Sequence, residues 1–144
     1  MAITRFRNKH YFLSSMYPHK ITSNEIEYPS LENAYQAEKT LDMEDRYKIA
    51  KMKDPRDAKR YGQTVKLRHE WNDIKLDIMY YLVKIKFSDP KLKRELIDTE
   101  PHELIEENNW GDTFWGTCGG KGQNNLGKIL MRVREEVLHE TNSS

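Results

Sequence analysis

The chain has 144 residues, 37% of them hydrophobic and 33% charged, and its 24 basic and 23 acidic side chains leave a net charge of +1. That length suits one domain burying roughly two-thirds of its unfolded surface, and ordinary aromatic content with balanced charge excludes the disordered class. Near-neutrality argues against nucleic-acid binding by bulk electrostatics, although it leaves room for a local basic cleft.

In chain order, "HYFLSSMY" and "ITSNEIEYPS" are short, aromatic and β-branched, and are expected as a small hairpin or edge strands. "YPSLENAYQAEKTLD" predicts a helix capped by Ser30, with Leu31, Ala34, Tyr35 and Leu41 on its apolar side. A second helix is expected from Glu44 to Met52, ending ahead of Pro55, and a third within "PRDAKRYGQTVK", interrupted near Gly62. The strongest helical period runs from Asn72 to Phe87 through Ile74, Ile78, Tyr81, Leu82 and Ile85, with Asn72 or Asp73 as cap. Short helices are expected at Pro90–Asp98 and Pro101–Glu107. The last helix presents Leu126, Ile129, Leu130, Val133 and Val137 on one face, with Asn124 or Asn125 as cap. The expected fold is a single α+β domain over 1–144, helix-dominated, with a small β element near the N-terminus and at the glycine loop. A frayed tail is expected over 139–144.

The stretch "GDTFWGTCGGKG" before the last helix asks whether it holds a phosphate. It fails the Walker A pattern, because Lys121 is followed by Gly122, and it fails the dinucleotide pattern, because Asn125 stands where the third glycine belongs. A glycine loop entering a helix N-terminus can still offer backbone N–H groups to an anion. The competing reading is a turn-rich entry into a helix. Trp110, Trp115 and Asp112 beside the loop favour a ligand, since indoles stack on bases and sugars.

Glu32, Gln36 and Lys39 fall at i, i+4 and i+7 and share one stripe of their helix. Glu32 lies in the first turn, where the dipole favours a carboxylate, and a partly desolvated lysine can serve as an amine nucleophile. The plain alternative is a solvated helix face. Trp71 in "RHEWND" reads as a core anchor or a ligand platform. Arg5 and Arg7 flank Phe6 and could meet a phosphate or a base. Cys118 is the only cysteine, with no histidine near it in sequence, and reads as an inert thiol. The five histidines show no metal-ligand spacing, and no apolar run approaches the ~18 residues of a membrane span. A cytoplasmic location is expected.

"FLSSMYP", "YPSLENAYQAEK", "RHEW", "DTFWG" and "GKGQNNLGKILMRVRE" occur in the order and spacing of one family. From Phe12 to Glu136 the chain resembles the YbiA-like or NADAR (NAD- and ADP-ribose-associated) N-glycosidases. The resemblance implies cleavage of a bond between ribose and a base nitrogen. The implied substrate is either a phosphoribosylamino-pyrimidine of riboflavin synthesis or ADP-ribosyl-guanine in DNA or RNA. It implies Glu32 as the acid/base carboxylate, Lys39 as a Schiff-base nucleophile and Asp112 as a second carboxylate. It also implies Arg5, Phe12, Ser14, Gln36, Trp71, Trp115, Gly116 and Asn124 as substrate-binding residues, with no cofactor or metal required and no membrane partner. The family often has Asn at Ser15 and His at Asn33, so Glu32 lacks one proton partner here. A non-catalytic NAD or ADP-ribose binder, and a helical interaction domain with solvent-facing charges, stand as alternatives.

Overall fold

Asn24 and Glu25 both take positive φ, 50° and 67°, and join two antiparallel strands by a two-residue turn whose twist matches the strands. The computed structural model describes residues 1–143, with side chains through 140. Its elements in chain order are β1 (Ala2–Ile3), a 3₁₀ turn (Asn8–Leu13), β2 (Pro18–Ser23), β3 (Ile26–Ser30), α1 (Leu31–Glu38) and α2 (Met43–Ala50). There follow α3 (Pro55–Gly62), α4 (Trp71–Lys86), α5 (Pro90–Ile97), β4 (Glu103–Leu104), β5 (Glu107–Asn108), β6 (Thr117–Cys118) and α6 (Asn125–Ser143). This is the expected helix-dominated α+β architecture. No helix among the described residues is long and apolar enough to cross a membrane. The chain forms two compact units, Ser15–Lys86 and Met1–Ser14 with Phe87–Ser144.

In the unit Ser15–Lys86, α1 is the central element. The β2–β3 hairpin, α2, α3 and α4 all pack against it or against its hairpin, and all eight of its residues are buried. Ser30 caps α1 as expected: its hydroxyl accepts from the Asn33 N–H at 3.1 Å. Asn33, the departure from the family pattern, donates through Nδ2 to the carbonyls of Ile49 and Met52, both at 2.9 Å, and so satisfies carbonyls at the end of α2. Asp42 caps α2, which starts one residue earlier and ends two earlier than predicted. Leu41 lies beyond α1 and is 62% exposed, so it does not join the apolar side assigned to it.

The long helix α4 corrects a second expectation. Its buried face is Met79, Leu82, Val83 and Lys86, while Ile74, Ile78 and Ile85 are half-buried and Tyr81 is exposed. The helix begins at Trp71, placing Asn72 and Asp73 inside its first turn; the Asp73 and Ile74 N–H groups donate to Glu70 O. The period is right and its phase is shifted, because α4 places a lysine on the core face. Lys86 is 1% exposed and sits over the Tyr17 ring at 5.5 Å; burial pushes its ammonium down to about 7.

In the other unit, β1 pairs in parallel with β4, and β5 with β6. The short helix expected over Pro101–Glu107 does not form. The donors needed for it go elsewhere: Glu103 N–H to Met1 O at 3.1 Å and Ile105 N–H to Ile3 O at 3.0 Å. Helix α5 is capped by Asp89 and packs on α6, whose five predicted apolar residues are all buried. Arg134 of α6 donates to Thr99 Oγ1 at 2.9 Å and His102 O at 2.8 Å, anchoring the segment between α5 and β4. The expected tail over 139–144 falls on the end of α6, where the side chains from 141 lie outside the described residues.

Candidate active site

The Glu32 carboxylate is 8% exposed and both of its oxygens are held. Ser15 Oγ donates to Oε1 at 2.8 Å, and Gln36 Nε2 donates to Oε2 at 2.6 Å. The Glu32 N–H returns to Ser15 O at 3.0 Å, so the loop before β2 and the first turn of α1 are joined twice. A buried carboxylate is tolerated only with such donors, and its place in the first turn adds the helix dipole. Gln36 is 3% exposed, and its Oε1 has no donor and lies against Gly62 of α3. The solvated-face alternative required these residues in water. They are in the protein interior.

Lys39 follows α1 directly and is half-buried, its ammonium 5.8 Å from the centroid of the Tyr35 ring. Burial holds its pKa below the ordinary lysine value; Glu32 opposes that shift, while Lys59 of α3 and Lys75 of α4 reinforce it. A lysine so placed reaches its neutral, nucleophilic form at lower pH than a surface lysine. The "RHEW" segment clamps this end of α1. Arg68 N–H donates to Lys39 O at 2.8 Å, and Arg68 Nη1 reaches Glu38 O at 3.3 Å and Glu38 Oε2 at 3.4 Å. Glu38, 3% exposed, also accepts from Ser23 Oγ at 3.1 Å and Asn24 Nδ2 at 2.8 Å and pairs with Arg46 at 3.8 Å. Trp71 is 4% exposed and packs on Tyr35 with ring centroids 5.3 Å apart. Its indole is a buried wall behind α1.

The remaining expected residues belong to the other unit. Asp112 Oδ1 accepts from the Phe114 and Trp115 N–H groups at 3.1 and 2.9 Å, forming an Asx turn. Trp115 is half-buried and edge-on to Phe114 at 4.8 Å. The N–H groups of Asn124, Asn125 and Leu126 donate to the carbonyls of Gly116, Phe114 and Trp115. These three donors at the start of α6 are therefore taken by the loop itself, which favours the turn-rich entry over the anion cradle. Asn124 is committed too, accepting from Glu106 N–H at 3.0 Å and donating to Leu104 O at 2.9 Å. Gly116 is buried, and a side chain is excluded there because a Cβ would lie 2.0 Å from Glu106 O. Phe12 is buried edge-on to Phe87 at 6.4 Å, Ser14 closes the 3₁₀ turn through its N–H to Tyr11 O at 2.9 Å, and Arg5 is exposed.

The geometry of α1 can be set beside known proteins. The family model described as the NADAR domain matches residues 4–138. The chain belongs to the NADAR domain family. It is 35% identical over 117 residues to N-glycosidase YbiA of Escherichia coli, covering 78% of this chain and 72% of that protein. It is 36% identical over 131 residues to an N-glycosidase of Nostoc punctiforme, covering 86% and 83%. A riboflavin biosynthesis protein of Vibrio vulnificus is 39% identical over 132 residues; these are 89% of this chain and 36% of that longer protein. The NMR structure of Escherichia coli YbiA superposes with a TM-score of 0.86 at 30% identity, covering 100% of this chain and 90% of that one.

Within this NADAR domain, sequence reasoning misses three features of the α1 site. Ser15 stands out in the sequence only as a departure from the family pattern, yet its hydroxyl holds Glu32. Lys59 and Lys75 carry no motif and act on Lys39 through space. Arg68 adjoins a noted tryptophan, and no periodicity pairs it with Glu38 thirty residues away.

Proposed function

We propose that this protein is an N-glycosidase that hydrolyses a ribosyl C–N bond through Glu32 and Lys39. The observation that carries the reading is the pairing of a buried carboxylate in the first turn of α1, fixed through both oxygens, with an amine at the C-cap of the same helix that is depressed by burial. As the bond to the base nitrogen breaks, positive charge grows at C1 of the sugar, and the Glu32 carboxylate stabilises it. The bond's electron pair leaves with the base, which takes up a proton. The neutral Lys39 amine bonds to C1, loses a proton, and expels the ring oxygen to give a Schiff base. Water then adds at C1 and releases the sugar and the lysine. The sum is one water added across the C–N bond.

Lys59 and Lys75, close enough to depress Lys39, give the site a positive field that suits a phosphate-bearing sugar. Both substrates considered, ADP-ribosyl-guanine in nucleic acid and a phosphoribosylamino-pyrimidine, meet that requirement. The names of the relatives support the bond class, and the Vibrio relative's name supports the second substrate.

The test incubates wild type, Glu32→Gln and Lys39→Ala with each substrate, with borohydride present, and maps adducts by mass spectrometry. A reduced sugar adduct on Lys39, lost in Lys39→Ala, is expected. Turnover of neither substrate by folded wild type overturns the reading; turnover that survives Lys39→Ala overturns the Schiff base alone.

A further inference from the structure

Trp71 is 4% exposed, which leaves no indole face for a base or a sugar. Its contact is inward: it meets Tyr35 with ring centroids 5.3 Å apart and planes tilted by 55°, and Tyr35 is itself 6% exposed. Tyr35 and Lys39 are one helical turn apart, and the Lys39 ammonium lies 5.8 Å from the Tyr35 ring centroid, within reach of a cation–π contact. The same short segment grips Lys39 a second time. Trp71 N–H donates to Arg68 O at 3.1 Å, folding residues 68–71 into one turn, and Arg68 N–H donates to Lys39 O at 2.8 Å. A single turn thus holds the main chain of Lys39 by its first residue and the ring beneath the Lys39 amine by its last. Lys39 needs such a hold, because α1 ends at Glu38 and leaves this flexible side chain at a C-cap, where helices fray.

We propose that the Arg68–Trp71 turn is the positioning device of the Lys39 amine, with Trp71 acting through Tyr35 and not on the substrate. This deepens the glycosidase reading and rests on Lys39 being its nucleophile. The ring face orients the amine by attracting its ammonium. Burial, the first among the causes acting on Lys39, works against the charge, and two packed rings keep water from one side of the amine. The charges acting on Lys39 are Glu32 of its own helix, Lys59 of α3 and Lys75 of α4. Arg46 of α2 and Arg68 pair with Glu38, while Lys20 and Glu27 on the hairpin pair with each other. Exchanging one ring for another alters none of these charges, so a change at Trp71 reaches Lys39 through packing alone.

Steady-state kinetics of Trp71→Phe, Tyr35→Leu and the double variant test it, each shown folded by circular dichroism. Phenylalanine leaves a gap behind Tyr35, and displacing a reacting group by about 1 Å can cost about 100-fold. Trp71→Phe is therefore expected to lower kcat about 10-fold or more, with KM within about twofold of wild type. Tyr35→Leu should do the same, and it carries the test alone where Trp71→Phe fails to fold. With Tyr35 gone the indole has nothing to act through, so adding Trp71→Phe to Tyr35→Leu should change kcat by less than about twofold. A second readout needs no turnover: labelling of Lys39 by glycolaldehyde and cyanoborohydride at neutral pH, followed by peptide mass spectrometry. Water admitted beside the amine favours the ammonium, so both single variants should label about threefold more slowly or less, the equivalent of half a pH unit. A raised KM with unchanged kcat in Trp71→Phe overturns the proposal, as do additive losses in the double variant or a labelling rate that is unchanged or faster. Wild type that turns over neither ribosylated substrate strikes the glycosidase reading, and the labelling rates then still decide the positioning.

Discussion

Gly62 is the most informative single perturbation of the Glu32 site, because it touches no reacting group. Its φ is not positive, so alanine is allowed by the backbone. The obstacle is steric: a Cβ at 62 would lie 1.9 Å from Gln36 Oε1, 2.8 Å from Cδ and 3.0 Å from Cβ. Gln36 is buried and has to move away, breaking its 2.6 Å bond to Glu32. Losing a hydrogen bond to a buried carboxylate costs about 1.5–3 kcal/mol. Replacing glycine at the end of a helix returns about 0.5–1 kcal/mol. Gly62→Ala is therefore expected to destabilise by about 1–2 kcal/mol in urea unfolding and, with Glu32 displaced, to lower kcat/KM about 10- to 100-fold. A double-mutant cycle makes the argument specific. In a Gln36→Ala background the contacts to Oε1 and Cδ are gone and only the 3.0 Å approach to the Cβ of residue 36 remains, so Gly62→Ala should cost much less than in wild type. Additive effects within about 0.5 kcal/mol, or a stable and fully active Gly62→Ala, would refute the reasoning.

Ser15→Ala removes the donor to Glu32 Oε1 and is expected to lower kcat more than it raises KM in steady-state kinetics, with Ser15→Thr restoring part of it. The rate of borohydride-trapped adduct formation should rise with pH as Lys39 loses its proton and level off below the pH at which a surface lysine would. Lys59→Gln, by removing a like charge, should shift that limb to higher pH. Lys86 is pushed down to about 7 in the folded chain from 10.5, so between those values the unfolded chain holds a proton the folded chain lacks. Wild-type stability from this group accordingly rises with pH, by up to about 1.4 kcal/mol per unit. Urea unfolding at pH 6.5, 8 and 9.5 should show Lys86→Met most favoured over wild type at the lowest pH, and parallel curves would contradict it. In the glycine loop, Gly116→Ala forces backbone against Glu106 O and should lower the thermal midpoint more than Gly119→Ala, where a Cβ meets nothing within 4 Å.

Interactions between near neighbours in the chain are legible in the sequence alone. Ser30 and Asn33, three apart, predict a cap, and Glu32 and Gln36, one helical turn apart, predict a shared stripe. The apolar face of α6 follows from its period alone. The segment over Pro101–Glu107 reads as a helix because nothing in it announces that β1, a hundred residues earlier, takes its donors. The phase of α4 is misjudged because a hydrophobic period cannot assign a lysine to the core face. The glycine loop stays undecided between an anion site and a helix entry because the sequence does not say that its own carbonyls take the N–H groups of Asn124, Asn125 and Leu126.

The residue types of the candidate site are thus a property of the sequence: a carboxylate, an amide and an amine at i, i+4 and i+7. Their chemistry is not. Whether Glu32 is held at both oxygens depends on Ser15, seventeen residues away, and on a glycine in α3 that lets Gln36 come close. Whether Lys39 is an ordinary cation or a depressed amine depends on burial and on lysines from two other helices. Desolvation and through-space charge act over distances that only the folded chain sets, so helix periodicity could place these residues and only tertiary packing could tune them.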